Sequence, residues 1–196
     1  LFDMDGDGDL DAYLVQGSRG GNLLLENDGG YFVDVSNGSG AANTGYGMGV
    51  AVGDFDGDGD EDLYVTNVGP NLLLRNDGDG RFADVTASAG VGDAGWGASA
   101  AFCDLDADGD LDLVALNYLV WAPDLDLACY GAAGARDYCS PRNFLAPARD
   151  VVYRNDGDGS FSDMSEVSGI GGRIGTGLGI LCNDYTGDGR IDIFVA

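Results

Sequence analysis

Short apolar segments alternate with glycine-rich and aspartate-rich segments along the chain, and no segment shows the helical period of about 3.6 residues. Apolar runs follow four acidic stretches, at residues 10–15, 63–66, 111–116 and 191–196. Farther along, pairs of apolar runs enclose an Asp-Gly turn, a strong hairpin signal because glycine accepts the positive φ of tight turns. The pattern predicts an all-β protein.

The four acidic stretches share a nine-residue pattern with aspartate at alternate positions and glycine at position six. We call them the first to fourth acidic loops: residues 3–11, 54–62, 104–112 and 184–192. They recur about every 50 residues, and the last interval is about 80. Units of this length with four strands, one of them crowded with glycine, are typical of β-propeller blades.

We therefore predict a partial β-propeller of about three four-stranded antiparallel blades, with each acidic loop between strands one and two. The predicted units are 1–44 (partial blade), 45–94 (blade), 95–174 (blade with an insertion at 118–149) and 175–196 (partial blade). A calcium-binding β-roll has a much shorter repeat. EF-hands are excluded because position twelve of each loop is apolar and strands flank the loops.

The amino-acid composition limits the classes of partner and of chemistry expected for this chain. The net charge is -25, from 34 Asp and Glu against 9 basic residues, and more than half of the acids lie in the acidic loops. Nucleic acid is not expected as a partner because phosphate binding needs clustered Lys and Arg. No apolar run is long enough to span a membrane. The absence of histidine excludes Ser-His-Asp catalysis and His-ligated zinc in this chain.

Crowded carboxylates in each acidic loop are costly unless a cation lies among them. Side chains at positions one, three, five and nine can converge on one ion, and the carbonyl at position seven can complete the set. Glycine at position six permits the sharp reversal of the backbone. The spacing favours a hard, oxygen-seeking ion.

Two stretches carry a family resemblance. Residues 47–60 with 63–67 resemble an FG-GAP/VCBS repeat, the unit of integrin-α-type propellers. Residues 154–161 and 136–141 resemble more narrowly the cartilage acidic protein (ASPIC/UnbV-like) branch. The resemblance implies calcium as the ion, an extracellular, secreted or cell-surface location, and a role in adhesion or interaction.

By match to the family motif, up to four Ca²⁺ sites are expected, with calcium in a structural role. The fourth should be the weakest, because Thr186 replaces a carboxylate and Arg190 brings a positive charge. The expected site residues are Asp3, Asp5, Asp7, Asp9 and Asp11; Asp54, Asp56, Asp58, Asp60 and Asp62; Asp104, Asp106, Asp108, Asp110 and Asp112; and Asp184, Thr186, Asp188, Arg190 and Asp192.

The insertion at 118–149 is predicted to lie on the face opposite the acidic loops, because it connects strands two and three. It is rich in aromatic residues and arginine, which dominate binding hot spots. The candidate ligand-face residues are Trp121, Tyr130, Arg136, Tyr138 and Arg142. The alternative is a loop whose aromatic side chains pack on one another, which we slightly prefer because a binding loop must first be ordered.

Cys129 and Cys139 are predicted to form a local disulfide, consistent with secretion. Cys103 and Cys182 lie one and two residues before their acidic loops, so strand alternation directs them to opposite faces. A bond between them is therefore not expected, and we predict two buried free thiols. Asn37 begins the only N-glycosylation sequon, a weak signal by itself.

Three functions remain open. The first is a calcium-stabilised extracellular propeller segment, not an enzyme, that serves as a scaffold, adhesion or interaction module with an unidentified protein or glycan ligand. The second is a subunit of a head-to-tail filament, in which incomplete blades associate with further copies. The third is a polysaccharide-acting enzyme, since propellers host such activities.

Overall fold

The computed structural model describes residues 1–17, 20–144 and 146–196, and antiparallel strands dominate it. The strands are β1 (Ala12–Leu14), β2 (Leu23–Asp28), β3 (Tyr31–Asp34), β4 (Tyr46–Gly53), β5 (Asp62–Asn76), β6 (Phe82–Asp84), β7 (Gly97–Cys103), β8 (Asp112–Asn117), β9 (Cys129–Tyr130), β10 (Arg136–Asp137), β11 (Ala148–Arg149), β12 (Val151–Asn155), β13 (Phe161–Asp163), β14 (Ile174–Gly175), β15 (Ile180–Asn183) and β16 (Asp192–Val195). One α-helical turn, α1 (Thr86–Ala89), and three 3₁₀ turns, Pro123–Leu125, Pro141–Asn143 and Ile170–Gly172, complete the elements.

The strands form four main sheets in chain order. The first sheet is β1-β2-β3, the second β4-β5-β6, the third β7-β8-β12-β13 and the fourth β15-β16. Two small pairs, β9-β10 and β11-β14, lie outside them. The third sheet thus has the four antiparallel strands expected of one unit.

The second sheet also contains four strand segments, because β5 folds back on itself. A straight strand of its 15 residues would span about 50 Å. Instead the backbone N–H of Asn76, its last residue, donates to Oδ1 of Asp62, its first residue, at 2.8 Å. The first half of β5 pairs with β4 and the second half with β6. The prediction of an all-β, antiparallel repeat is confirmed.

The glycine-rich strands β4 and β7 are as crowded as the sequence indicates. A Cβ at Gly49 would lie 2.8 Å from the carbonyl oxygen of Ala98 in the next sheet. A Cβ at Gly97 would lie 2.6 Å from Oδ1 of Asn71. Both strands therefore need glycine where sheets approach each other.

Successive sheets pack face to face through alternating side chains of the middle strands. Leu63 and Val65 of the second sheet pack toward Leu24 of the first. Tyr64, between them, packs toward Leu113 of the third sheet. One face of the first half of β5 thus packs against the first sheet, and its other face packs against the third sheet. The core is therefore a series of apolar layers between successive sheets.

The cysteine pairing corrects one prediction. Cys103 and Cys182 form a disulfide with a Cα–Cα distance of 6.4 Å, so the expectation of free thiols is wrong. The two side chains point to opposite faces of their own sheets, and this allows the bond. When two successive sheets pack face to face, the front of one sheet meets the back of the next. The preceding interface has the same register: a Cβ at Gly53 would lie 3.0 Å from the ring of Phe102.

The insertion is anchored by the predicted Cys129–Cys139 disulfide, which is confirmed with a Cα–Cα distance of 5.2 Å. Cys129 begins β9 of the short hairpin β9-β10, and Cys139 lies two residues after β10. Leu119 and Pro147 form a bridge at the base of the insertion. No helix in the described ranges is long and apolar enough to cross a membrane.

Candidate metal centres

The first carboxylate of each acidic loop organises the loop backbone. In the second loop, Asp54 accepts the N–H groups of Gly57 at 2.8 Å, Asp58 at 3.2 Å and Gly59 at 3.0 Å. Oδ1 of Asp58 then accepts the N–H of Asp60 at 3.0 Å. The other loops repeat most of these bonds, so the loop backbone is held in place by its own aspartates.

The wrap requires two residues with positive φ, at positions four and six. Gly57 has φ 72° and Gly59 has φ 99°, and the prediction for position six is confirmed in all four loops. Position four was not recognised from the sequence. In the third loop it is Ala107 with φ 64°, the only non-glycine residue with positive φ in the described ranges. Alanine is strained in this left-handed region.

The ninth-position carboxylate is buried beneath the loop. Asp62 is fully buried and accepts the N–H groups of Phe55 at 3.0 Å and Asn76 at 2.8 Å. Burial raises the pKa of Asp62 to about 7, and these hydrogen bonds only partly oppose the shift. Asp112 in the third loop is buried with equivalent partners, and burial raises its pKa as well. A cation would favour the ionised form of both carboxylates.

The carboxylates of the first three loops converge. Oxygens of three side chains lie within 4.8 Å of one another in each of the sets Asp3, Asp5 and Asp11; Asp54, Asp56 and Asp58; and Asp104, Asp106 and Asp108. Desolvation and then the neighbouring carboxylate Asp58 raise the pKa of Asp56. The same two causes, with Asp7 as the neighbour, raise the pKa of Asp5. These sets offer only carboxylate oxygens, the donors that hard divalent cations prefer.

The position-seven side chain points away from this convergence. Oδ2 of Asp60 lies against the Asp-Gly turn of its own sheet, where a Cβ at Gly78 would be 2.5 Å away. Asp110 has the same relation to Gly157, at 3.0 Å. This orientation fits the expected use of a backbone carbonyl, rather than a carboxylate, at position seven.

The fourth loop keeps the backbone wrap but has fewer carboxylates. Asp184 accepts the N–H groups of Gly187, Asp188 and Gly189, and these bonds, led by that of Gly189, lower its pKa. Within the described residues, the convergent sets of three carboxylates all come from the other loops. The backbone N–H of Arg190 donates to Asp188 at 3.0 Å. The expectation that this site is the weakest stays a prediction.

An asparagine in each Asp-Gly turn supports the loops and was missed in the sequence. Nδ2 of Asn76 donates to the carbonyl of Glu61 in its own loop at 3.2 Å and to the carbonyl of Met4 in the first loop at 2.9 Å. Asn155 makes the equivalent bonds to Leu111 at 3.1 Å and Phe55 at 2.7 Å. The signal was available, because Asn precedes Asp-Gly at the same place in all three units.

The candidate ligand-face residues fall into two groups. Tyr130, Tyr138 and Arg142 are exposed, and Arg136 forms an exposed ion pair with Asp126 at 3.3 Å. Trp121 is half-buried and packs edge-on against Trp96, with ring centroids 5.2 Å apart. Both interpretations of the insertion thus retain support: part of it packs on itself and part faces solvent.

Asn37 is exposed, and the sequon's Ser39 is buried.

Comparison with known families identifies the repeat. Residues 3–65, 54–115 and 134–195 match the model described as FG-GAP-like repeat. No curated protein matches the chain. The three matched segments cover most of the sequence, and each ends within the strand that follows an acidic loop. The chain therefore belongs to the FG-GAP-like repeat family.

Proposed function

We propose that the chain is part of a β-propeller, stabilised by Ca²⁺ in its acidic loops, that acts as an extracellular interaction or adhesion module. Four successive antiparallel sheets packed face to face, with glycine-rich strands at the closest approach, support the assignment of the sheets to propeller blades. The family supports an integrin-like interaction role over catalysis. The closer kinship to the cartilage acidic protein branch is part of this proposal.

The observation that carries the calcium proposal is the preformed loop. Each of the first three acidic loops gathers three carboxylates within 4.8 Å around a backbone already fixed by its first aspartate. With the position-seven carbonyl, each loop offers four ligand oxygens if every carboxylate binds through one oxygen and seven if every carboxylate binds through both. Ca²⁺ takes six to eight oxygen ligands in flexible geometry, from protein groups and waters. Mg²⁺ is a poorer fit because it keeps several waters and needs a near-ideal octahedron.

The proposed location follows from covalent chemistry. Both cysteine pairs among the described residues form disulfides, one within the insertion and one between sheets. Disulfides persist in oxidising compartments such as the extracellular space. The exposed Asn37 of the sequon is compatible with that location.

Calcium titration calorimetry and thermal melting test this proposal. Chelation with EDTA should lower the melting temperature sharply, because each loop then holds several repelling carboxylates. Asp58→Ala should reduce the number of bound ions and the melting temperature more than Asp188→Ala, since Asp58 belongs to a convergent set.

The matched control is Asp28→Asn, which removes one exposed carboxylate from an Asp-Gly turn outside the acidic loops. It should leave the number of bound ions and the effect of EDTA unchanged. Melting that is indifferent to EDTA, or an equal loss in all three variants, would contradict a structural role for calcium.

A further inference from the structure

Aromatic side chains from the insertion and the third sheet enclose a cleft at the end of the sheet opposite the acidic loops. The cleft has a volume of about 360 Å³, within the range of small-molecule sites, roughly 300–1,000 Å³. Trp96 directly precedes β7, and β7 ends at the third acidic loop, seven residues farther along. The cleft is therefore about 20 Å from that loop. The residues that matter are Trp96, Tyr118, Trp121, Phe144 and Asp126; Tyr138 lies at the rim and is 98% exposed.

Three of the rings that line the cleft also contact one another at steep angles. Trp96 meets Tyr118 at 5.6 Å between centroids with an interplanar angle of 77°. It meets Trp121 at 5.2 Å and 61°. Trp96 thus packs edge-to-face against both rings, and the remaining surfaces of the three rings line the cleft. A lining of several aromatic rings beside a carboxylate is suited to a cation.

Polar groups in the cleft are few, and one carboxylate stands out among them. Asp126 is partly exposed, and its pair with Arg136 at 3.3 Å is a surface pair of little strength. Nε1 of Trp96 is buried without a hydrogen-bond partner among the described residues, so Trp96 can offer a ligand only ring surface. Arg142 lines a separate neighbouring cavity. A sugar or an anion would find few hydrogen-bond donors in this cleft.

We propose that this cleft binds a quaternary ammonium group, with the aromatic rings around the cation and Asp126 as its counter-ion. The strongly negative chain, at -25, would attract such a ligand from a distance. This inference deepens the proposed interaction role and rests on it for the choice of face, but it is independent of calcium binding. The expected outcome is reversible binding.

The chain provides its own probe. Its two tryptophans, Trp96 and Trp121, both line the cleft, so intrinsic tryptophan fluorescence reports on this site alone. The full chain in saturating Ca²⁺ is titrated with choline, and separately with 3,3-dimethylbutan-1-ol, which has the same shape without the charge. We expect a saturable change with choline and at least tenfold weaker binding of the neutral alcohol.

Variants separate cation binding from simple packing. Trp121→Ala should weaken choline binding more than tenfold, whereas Trp121→Phe, which keeps an aromatic face, should retain most of it. Asp126→Asn should weaken choline severalfold and leave the neutral alcohol unchanged. Tyr31→Phe, an exposed tyrosine of β3 outside the insertion and the cleft, should behave as the parent chain.

Equal binding of choline and the neutral alcohol, a stronger response to neutral monosaccharides, or no saturable response would overturn the proposal. Calcium titration of the same samples tests the calcium proposal separately from the ammonium-site proposal. Normal calcium binding without a choline response refutes only the ammonium site. Loss of calcium binding in the parent chain, with choline binding intact, refutes the calcium proposal instead.

Discussion

The side chain of Asn76 is predicted to be a principal link between the first two sheets. It donates to two main-chain carbonyls, Met4 at 2.9 Å and Glu61 at 3.2 Å, and its Oδ1 accepts the N–H of Gly78 at 3.1 Å. Asn76 is fully buried. Asn76→Ala removes all three bonds and leaves the two carbonyls without this donor.

The magnitude follows from these contacts. Each intramolecular hydrogen bond contributes about 0.5–1.5 kcal/mol net, and a buried polar group left unpaired costs more. We therefore expect Asn76→Ala to lower the free energy of unfolding by about 3 kcal/mol. Asn27 is the matched control, because it occupies the same place in the first sheet, is less buried and donates only within its own unit, to Leu10 at 3.2 Å. Asn27→Ala should cost about 1 kcal/mol.

Urea denaturation at fixed, saturating Ca²⁺ measures both variants, with the midpoint shifting at constant slope if the native fold is kept. Asn76→Asp adds a second comparison: its carboxylate cannot donate to the carbonyls and lies beside Asp62, so it should cost at least as much as alanine. Equal losses for Asn76→Ala and Asn27→Ala would refute the reasoning, because the bond between sheets would then contribute nothing.

Three further predictions concern other parts of the fold. Burial raises the pKa of Asp150, whose Oδ1 accepts the N–H of Asn117 at 2.8 Å. Asp150→Asn should therefore stabilise the chain at pH 7–8, and urea titrations should show that gain vanish as the pH falls below the unfolded pKa of about 3.9. Replacing Cys103 and Cys182 by serine opens a loop of 79 residues and should cost up to about 4.5 kcal/mol by chain entropy, read from denaturation under oxidising conditions. Ala107→Gly relieves a positive φ of 64° and should raise the free energy of unfolding by about 1 kcal/mol in the same assay.

Local chemistry was accessible to sequence reasoning. The positions of the strands follow from apolar alternation, and glycine at position six followed from the need for a sharp reversal, which φ 99° at Gly59 confirms. The disulfide between Cys129 and Cys139 could also be predicted, because the two cysteines lie close together in the chain. Each of these features depends on residues within a few positions of one another.

Features between sheets were harder to predict. The acceptors of Asn76 and Asn155 are backbone carbonyls, which leave no mark on the sequence. The bond between Cys103 and Cys182 depends on which faces of successive sheets meet. The alternation of side chains along a strand, taken alone, led to the wrong prediction that the two cysteines are unbonded. Alternation fixes the direction of a side chain relative to its own sheet, but not what lies opposite it.

The asparagine bridges have a consequence for how such chains can grow. Each of Asn76 and Asn155 reaches from its own unit to the preceding one, and the acceptor is main chain in both cases. A duplicated unit would therefore carry its own connection to whatever unit stands before it, without any matching change in that neighbour's side chains. Insertion or deletion of whole units by recombination would leave this junction intact. The number of units is therefore expected to vary more during evolution than the sequence of a single unit.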